Sequence, residues 1–131
     1  MTDEAPENRV SGVIVDAAIK VHRVLGPGLL ESVYQVALAH ELRCRGLDVR
    51  VEVPIDIQYE SLRIENAFKA DIIVESLVLI ELKSVEKMSQ VHFKQTLTYL
   101  RLTGLRLGLL INFGARLVRD GIHRVVLGMP Q

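Results

Sequence analysis

The sequence predicts one α/β domain in which a mixed sheet is flanked by helices. Apolar residues recur every three or four positions in three segments, the period of a helix. In five other segments they alternate with polar residues or run together, which is typical of strands. The order is two helices, three strands, a helix and two strands. With 131 residues, nearly half of them apolar, the chain suits a single hydrophobic core.

The first two elements are predicted to be helices. Residues 8–25 place on one face Val10, Ile14, Ala17, Val21 and Leu25. The sequence GPG at 26–28 ends this helix, because glycine adopts the left-handed cap and proline cannot continue a helix. A second helix is expected at 29–45, before Gly46. We expect residues 1–7 to be a flexible tail and residues 8–128 to form the domain.

Strands and one further helix are predicted for the rest of the chain. Apolar residues at 51, 53, 55, 57 and 59 alternate with polar ones, as in a half-buried strand, and strands are also expected at 67–75 and 77–84. A helix at 90–103 follows Ser89, a good N-cap, and ends at Gly104. The apolar run at 107–112 predicts a strand covered on both faces, and 122–127 predicts the last strand.

The composition argues against several classes of protein. Sixteen basic residues balance sixteen acidic ones, so avid and unspecific binding to nucleic acid is not indicated, and any such contact must come from a local basic patch. No apolar run reaches the roughly 18–20 residues that span a bilayer. The start MTDEAPENR is not a secretory signal, and the single Cys44 forms no internal disulfide. We therefore expect a cytoplasmic protein with no membrane association.

Glu81 and Lys83 lie two residues apart in the most apolar part of the chain. In a strand they share a face, together with Leu77 and Leu79. The simplest interpretation is a salt bridge at the exposed end of a strand. A functional interpretation needs other polar groups to converge on the pair, because an unpaired buried charge costs several kcal/mol.

Asp71 is the first candidate partner, and its position depends on the turn between two strands. With a three-residue turn at 75–77, Val74 faces Val78 and Asp71 lies opposite Glu81 on the same face. With a two-residue turn, Asp71 lies opposite Ile80 and points away. The sequence leaves both registers open, and a solvated strand end is the simplest role for Asp71.

Glu31 and Gln95 are two further candidates, one on each of two helices. Glu31 begins an otherwise apolar or aromatic stripe completed by Tyr34, Leu38 and Leu42. Gln95 is the polar member of a stripe otherwise formed by Val91, Tyr99 and Leu102. These stripes point both residues towards the core. The alternatives are a favourable helix-dipole position for Glu31 and a hydrogen bond to loop backbone for Gln95.

The charges of these residues, if gathered in one cleft, predict a divalent cation. Glu31, Asp71 and Glu81 contribute three negative charges and Lys83 one positive charge, which leaves about minus two. Such a cleft takes up protons or binds a cation, and carboxylate oxygens suit Mg²⁺ or Mn²⁺. Zinc is not indicated, because thiolate clusters are absent and the histidines are scattered. His92 lies one turn before Gln95, although a capping or surface role is the simpler interpretation.

Several short motifs together resemble a known family. Residues 28–34, GLLESVY, read G-x-x-E-x-x-Y; Asp71 is followed by Glu81-x-Lys83, and Gln95 and Tyr99 form Q-x-x-x-Y. In this order the chain resembles the GxxExxY family of the PD-(D/E)xK nuclease superfamily over about residues 8–127. One departure is Ala70, which stands where the superfamily has proline.

The resemblance implies a fold, an activity and roles for the site residues. The fold would be a restriction-endonuclease-like helix, three strands, helix and strand at 29–112, with an extra helix before it and a strand after it. The activity would be Mg²⁺- or Mn²⁺-dependent hydrolysis of nucleic-acid phosphodiesters. Asp71 and Glu81 would bind metal, and Glu31 would bind it directly or through water, or hold a second ion. Lys83 would orient the attacking water and stabilise the transition state. Gln95 would position the substrate or the Lys83 side chain, and Tyr99 would pack beneath the site or contact a phosphate.

Two other functions stay open at this point. The first is a nuclease fold without turnover that binds protein or nucleic acid; the three acids around one lysine argue against it, and the zero net charge argues mildly for it. The second is an oligomeric protein whose charged cluster is a subunit ion-pair network. A homodimer, formed through 122–127 or the first helix, is compatible with all of these. The candidates for contact with a nucleic-acid backbone are Lys69, Lys87, Lys94, Arg101 and Arg106.

Overall fold

A computed structural model describes residues 5–129 and confirms the predicted α/β class and element order. Residues 5–129 form three helices and five strands, with a 3-10 turn at Val118–Gly121 before the last strand. The helices are α1 (Pro6–Leu25), α2 (Glu31–Cys44) and α3 (Gln90–Thr103). The strands are β1 (Val49–Tyr59), β2 (Leu62–Val74), β3 (Val78–Lys83), β4 (Leu107–Asn112) and β5 (Ile122–Val126).

The start of α1 corrects the predicted tail. Residues 1–4 lie outside the described residues, but Pro6 already forms the first helical turn, where its missing N–H needs no partner. Glu7 is buried and binds Arg106 through both carboxylate oxygens, at 2.7 and 2.9 Å. The tail prediction is therefore wrong for Pro6 and Glu7. Arg106 is likewise engaged by this pair and is a poorer candidate for a nucleic-acid contact than expected.

The sheet has the order β1-β2-β3-β4-β5 and is covered on both faces. Strands β3 and β4 are parallel, and the other neighbours are antiparallel. The larger core lies between the sheet and helices α1 and α2, and a smaller core around Leu79 and Leu100 lies beneath α3. Strand β4 is buried along its whole length, as predicted. Within residues 5–129, no helix has the length and apolar character required to cross a membrane.

The hairpin of β1 and β2 is longer than predicted. Strand β2 begins at Leu62, which pairs with Tyr59 across the two-residue turn at 60–61, whereas the sequence indicated a start at 67. This turn contains no glycine, so the usual hairpin signal is missing. Further along, the Asp56 carboxylate accepts the N–H of Asn66 at 2.9 Å, beside a shift in the pairing register.

Both strands of this hairpin change the face that they present to α3. On β1, Arg50 and Val53 line the same depression beside α3 although they are three residues apart. On β2, Ile73 and Ala70 both belong to the core beneath α3. Regular alternation cannot produce this spacing. The change occurs opposite Asp71, where Glu52 has a positive φ of 47°.

Tyr34 fixes the loop between α1 and α2. Its hydroxyl donates to the Gly26 carbonyl and accepts the N–H of Leu29 at 3.2 Å, while its ring stacks on Phe113 with centroids 4.4 Å apart. Gly28 supports the loop with a φ of 96°, which side-chain-bearing residues rarely adopt. The G-x-x-E-x-x-Y motif thus sets where α2 begins.

Replacing Tyr34 with Phe is expected to lower the free energy of unfolding by about 1 kcal/mol, because the partly buried Gly26 carbonyl and Leu29 N–H lose their partner. Urea denaturation followed by circular dichroism measures this difference. Tyr59→Phe is the matched control, since Tyr59 is exposed and should lose almost nothing. Equal stability of the two variants would contradict this role of the Tyr34 hydroxyl.

Candidate metal centre and catalytic site

Strands β2 and β3 separate at the point where the two candidate acids lie. Their pairing runs from Val74–Val78 to Ile72–Ile80, so Asp71 comes next and faces Glu81. Instead of a further ladder bond, the Asp71 carboxylate accepts the N–H of Leu82 at 2.8 Å. The Glu81 carboxylate in turn lies 3.4 Å from the Asp71 N–H. The three-residue turn is thus the register that forms, and it brings the two carboxylates together.

Glu81 is the buried member of this pair, with 8% of its surface exposed. Burial, followed by the negative charge of Asp71, raises the pKa of Glu81 to about 8; the charge of Lys83 acts in the opposite direction but is weaker. Neither acid forms an ion pair within residues 5–129. The site therefore holds a proton or a cation near neutral pH.

Lys83 and Tyr99 complete the surroundings of the two acids. Lys83 is half-buried at the end of β3, and its alternation along the strand puts it on the same face as Glu81. Tyr99 approaches from α3, with its ring stacked on Phe68 at 3.9 Å between centroids. Burial, and then the charges of Glu81 and Asp71, raise the pKa of the Tyr99 hydroxyl. The structure thus gathers four of the six predicted site residues.

Glu31 does not join this group, contrary to the prediction from its helical stripe. It is the first residue of α2 and is exposed, whereas Tyr34, Leu38 and Leu42 of its stripe are buried. Among the residues that the structure describes, no three His, Cys, Asp or Glu side chains lie close enough to hold one metal ion. One turn after Glu31, however, the Gln35 side chain donates to the Asp71 carbonyl at 3.3 Å. Glu31 therefore lies one helical turn from a direct contact with the acid-bearing strand.

Gln95 is also exposed, so its predicted inward orientation is wrong. Thr96 and Leu100 form the buried face of α3. Thr96 can be buried because its hydroxyl donates to the His92 carbonyl, one turn earlier, at 2.9 Å. Gln95 stands at the solvent side of the helix one turn before Tyr99. His92 caps α3 by accepting the Ser89 N–H, which is the simpler of its two predicted roles.

A comparison with protein-family models decides the family. The model described as PD-(D/E)XK nuclease superfamily matches residues 8–125. The chain belongs to the PD-(D/E)XK nuclease superfamily. This confirms the restriction-endonuclease-like core predicted at 29–112, with α1 as the extra helix and β5 as the extra strand. Searches of curated proteins and of solved structures each gave no significant match.

The superfamily implies a divalent metal ion, and the residues present fit one. Two carboxylates face each other, one of them buried, and neither forms an ion pair within the described chain. Mg²⁺ usually binds proteins through one or two carboxylates and keeps several waters, so a third acid is not required. Oxygen ligands alone favour Mg²⁺ or Mn²⁺ over zinc. Asp71 and Glu81 are the residues that would hold such an ion.

Asn112 and Phe113 hold the end of the candidate site, and sequence analysis missed both. The Asn112 side chain accepts the N–H of Val85 at 3.0 Å and donates to its carbonyl at 2.9 Å. Phe113 donates its N–H to the Lys83 carbonyl at 2.8 Å. The end of β4 therefore fixes the backbone on both sides of Ser84. The available sequence signal was an asparagine at the end of an apolar strand.

Proposed function

We propose that this chain is a metal-dependent nuclease of the GxxExxY family, which hydrolyses phosphodiester bonds of nucleic acid with Mg²⁺ or Mn²⁺. The observation that carries the proposal is the contact between the Asp71 and Glu81 carboxylates beside Lys83. Superfamily membership supports the same chemistry. We place its action in the cytoplasm, on DNA or RNA.

Asp71 and Glu81 act as the metal ligands in this proposal. Their mutual repulsion in a buried setting favours the metal-bound state, because a dication neutralises both charges. When bound, the ion polarises a phosphoryl oxygen and lowers the pKa of a water. The Leu82 N–H orients the Asp71 carboxylate through its 2.8 Å bond, so the ligand is positioned before substrate arrives.

Lys83 supplies positive charge to the reacting phosphate. It has no ion-pair partner in the described chain, which leaves its ammonium group available to substrate. We assign it the stabilisation of the negative charge that develops on the phosphoryl oxygens, rather than the role of a base.

Glu31, Gln95 and Tyr99 have supporting roles. Glu31, at the exposed start of α2, contacts the metal through water rather than directly. Gln95 faces solvent one turn from Tyr99 and positions the substrate strand. Tyr99, stacked on Phe68 and near the acids, forms the wall of the site. Lys69, Lys87, Lys94 and Arg101, all exposed, contact the nucleic-acid backbone.

The test is a panel of labelled single- and double-stranded DNA and RNA, incubated with Mg²⁺, with Mn²⁺ and with chelator. The parent chain should cleave at least one substrate with metal and none with chelator. Lys83→Ala should be slower by at least about 100-fold, which is the usual loss when one charge-stabilising donor is removed. Lys20→Ala, an exposed lysine on α1 that pairs with Glu41 away from the acids, is the control and should retain most of the activity.

Three results would defeat the proposal. Full activity of Lys83→Ala would show that cleavage comes from another site or a contaminant. If no substrate is cleaved although metal raises the melting temperature, the chain is a nuclease fold that binds without turnover. A melting temperature that depends on protein concentration and not on metal would instead favour the oligomeric ion-pair network.

A further inference from the structure

A cavity lies on the face of the sheet opposite Tyr99. It is bounded by the last turns of α1, the loop at 26–27 and the segment at 116–119, and its volume is about 360 Å³. Sites for small molecules have volumes of roughly 300–1,000 Å³, so this cavity is large enough for one. Its floor is apolar and is formed by Ile19, Leu117 and Val118.

The rim of the cavity carries three arginines and no acid. Arg23, Arg116 and Arg119 all line it and are exposed. None of them forms an ion pair among residues 5–129, in contrast to Arg45, Arg63 and Arg106. Asp120 follows Arg119 in the chain but does not line the cavity. In a chain with zero net charge, this is a local concentration of unpaired positive charge.

Phe113 connects the cavity to the candidate site through hydrogen bonds on both of its backbone groups. His22, which lines the cavity, hydrogen-bonds through Nε2 to the Phe113 carbonyl at 3.1 Å, so this nitrogen is the donor. The N–H of the same Phe113 donates to the Lys83 carbonyl at 2.8 Å. The cavity and Lys83 therefore lie on opposite sides of a single backbone segment at the end of β3 and β4.

We propose that this cavity binds a nucleotide, with the base against the apolar floor and the phosphate among Arg23, Arg116 and Arg119. A guanidinium group offers planar, multiple donors to phosphate oxygens and also stacks on bases. The nucleotide comes either from a free mononucleotide or from the end of a strand. The second source rests on the proposed function, since the strand then passes the end of the sheet to reach Asp71 and Glu81.

Isothermal titration calorimetry tests the proposal, with chelator present throughout so that the metal centre does not contribute. The probes are adenosine 5′-monophosphate, adenosine, inorganic phosphate, and a short single strand with either a 5′-phosphate or a 5′-hydroxyl. The monophosphate should bind at least tenfold more tightly than adenosine or phosphate alone. Its affinity should fall with added salt, because the contact is charged.

Variants assign the binding to the cavity. Arg23→Ala combined with Arg116→Ala should weaken the binding of the monophosphate at least tenfold. Arg9→Ala is the matched control, because Arg9 is an exposed arginine of α1 outside this cavity, and it should bind as the parent does. Lys83→Ala should also bind the monophosphate as the parent does. A failure of the nuclease proposal would therefore leave the binding of the monophosphate unaffected.

The strands identify the source of the nucleotide. Preference for the 5′-phosphorylated strand, with competition by the monophosphate, indicates a strand end; binding of the monophosphate alone indicates a free nucleotide. The proposal is overturned if adenosine binds as tightly as its monophosphate, if no probe binds, or if the double arginine variant binds like the parent.

Discussion

Glu81→Gln is expected to be more stable than the parent chain at pH 8.5 when metal is absent. The folded chain holds Glu81 with a pKa of about 8, against 4.5 for the ordinary group. Between these values the folded state binds more protons than the unfolded state, so the contribution of Glu81 to stability is fully present below pH 4.5 and is lost as the pH rises through 8. The difference of 8 − 4.5 = 3.5 units sets an upper limit of about 5 kcal/mol.

Glutamine removes this loss because it imitates the protonated acid, and its amide can donate to Asp71. We expect a gain of about 2 kcal/mol at pH 8.5, because the amide must also satisfy its other hydrogen in a buried place. The gain should shrink as the pH falls and vanish near pH 4.5. Thermal unfolding of both proteins in chelator between pH 5 and 8.5 measures it, with Glu65→Gln as an exposed control that should differ little from the parent.

Metal should make the parent chain more stable than Glu81→Gln, which is the reverse of their order in chelator. Mn²⁺ at pH 8.5 should raise the melting temperature of the parent, because a ligand that binds only the folded state stabilises it, and should affect Glu81→Gln much less. The variant should also lose nuclease activity. If the parent in chelator is as stable as the variant at pH 8.5, the buried acid pair is not a source of strain and the proposed metal centre fails.

Gly114→Ala is expected to have the largest effect on stability. A Cβ atom at this position would lie 2.3 Å from the Val85 carbonyl oxygen and 2.7 Å from the Val85 nitrogen. Both backbone groups are hydrogen-bonded to the Asn112 side chain, so they cannot move without breaking those hydrogen bonds. Overpacking of this kind usually costs about 1–3 kcal/mol, and we expect the upper end or more. Urea denaturation measures the loss.

Gly12→Ala is the control for the loss of glycine itself. Gly12 lies inside α1 and is exposed, and a methyl group there would meet no atom within 4 Å, so alanine should stabilise the helix by about 0.8–1 kcal/mol. Gly114→Ala should also reduce cleavage, since a displaced Val85 moves the end of β3 and Lys83 with it. If Gly114→Ala is as stable as the parent, the close approach of Gly114 to the Val85 backbone is contradicted.

The sequence predicted the fold because periodicity and glycine positions are local signals. Helix α3 and strand β4 form within the predicted bounds. The register of Asp71 against Glu81 was left open because it depends on a distant contact. Glu75 has a positive φ of 55° in the turn, and its N–H donates to the Asp48 carbonyl at 2.8 Å. Nothing in the residues around the turn indicates that contact.

The orientation of Gln95 was missed for a different reason. Counting apolar residues treats threonine as a surface residue, whereas Thr96 satisfies its hydroxyl inside α3 and is buried. The helix also approaches β4 closely, with the Thr96 methyl group over Gly108. The buried face is therefore rotated by one residue from the stripe that contains Gln95. Tyr99 lies at the border of both faces, which is why it still reaches the site.

The change of face at Glu52 and Asp71 separates the outer hairpin from the rest of the domain. Residues inserted in pairs beyond this point lengthen the projection without shifting either acid, whereas one residue added between Val49 and Val53 would exchange the inner and outer sides of the strand. The tip at 60–61 is exposed on both residues. It is the place where this domain can accept a graft, such as an epitope tag or a second domain, while the acids keep their positions.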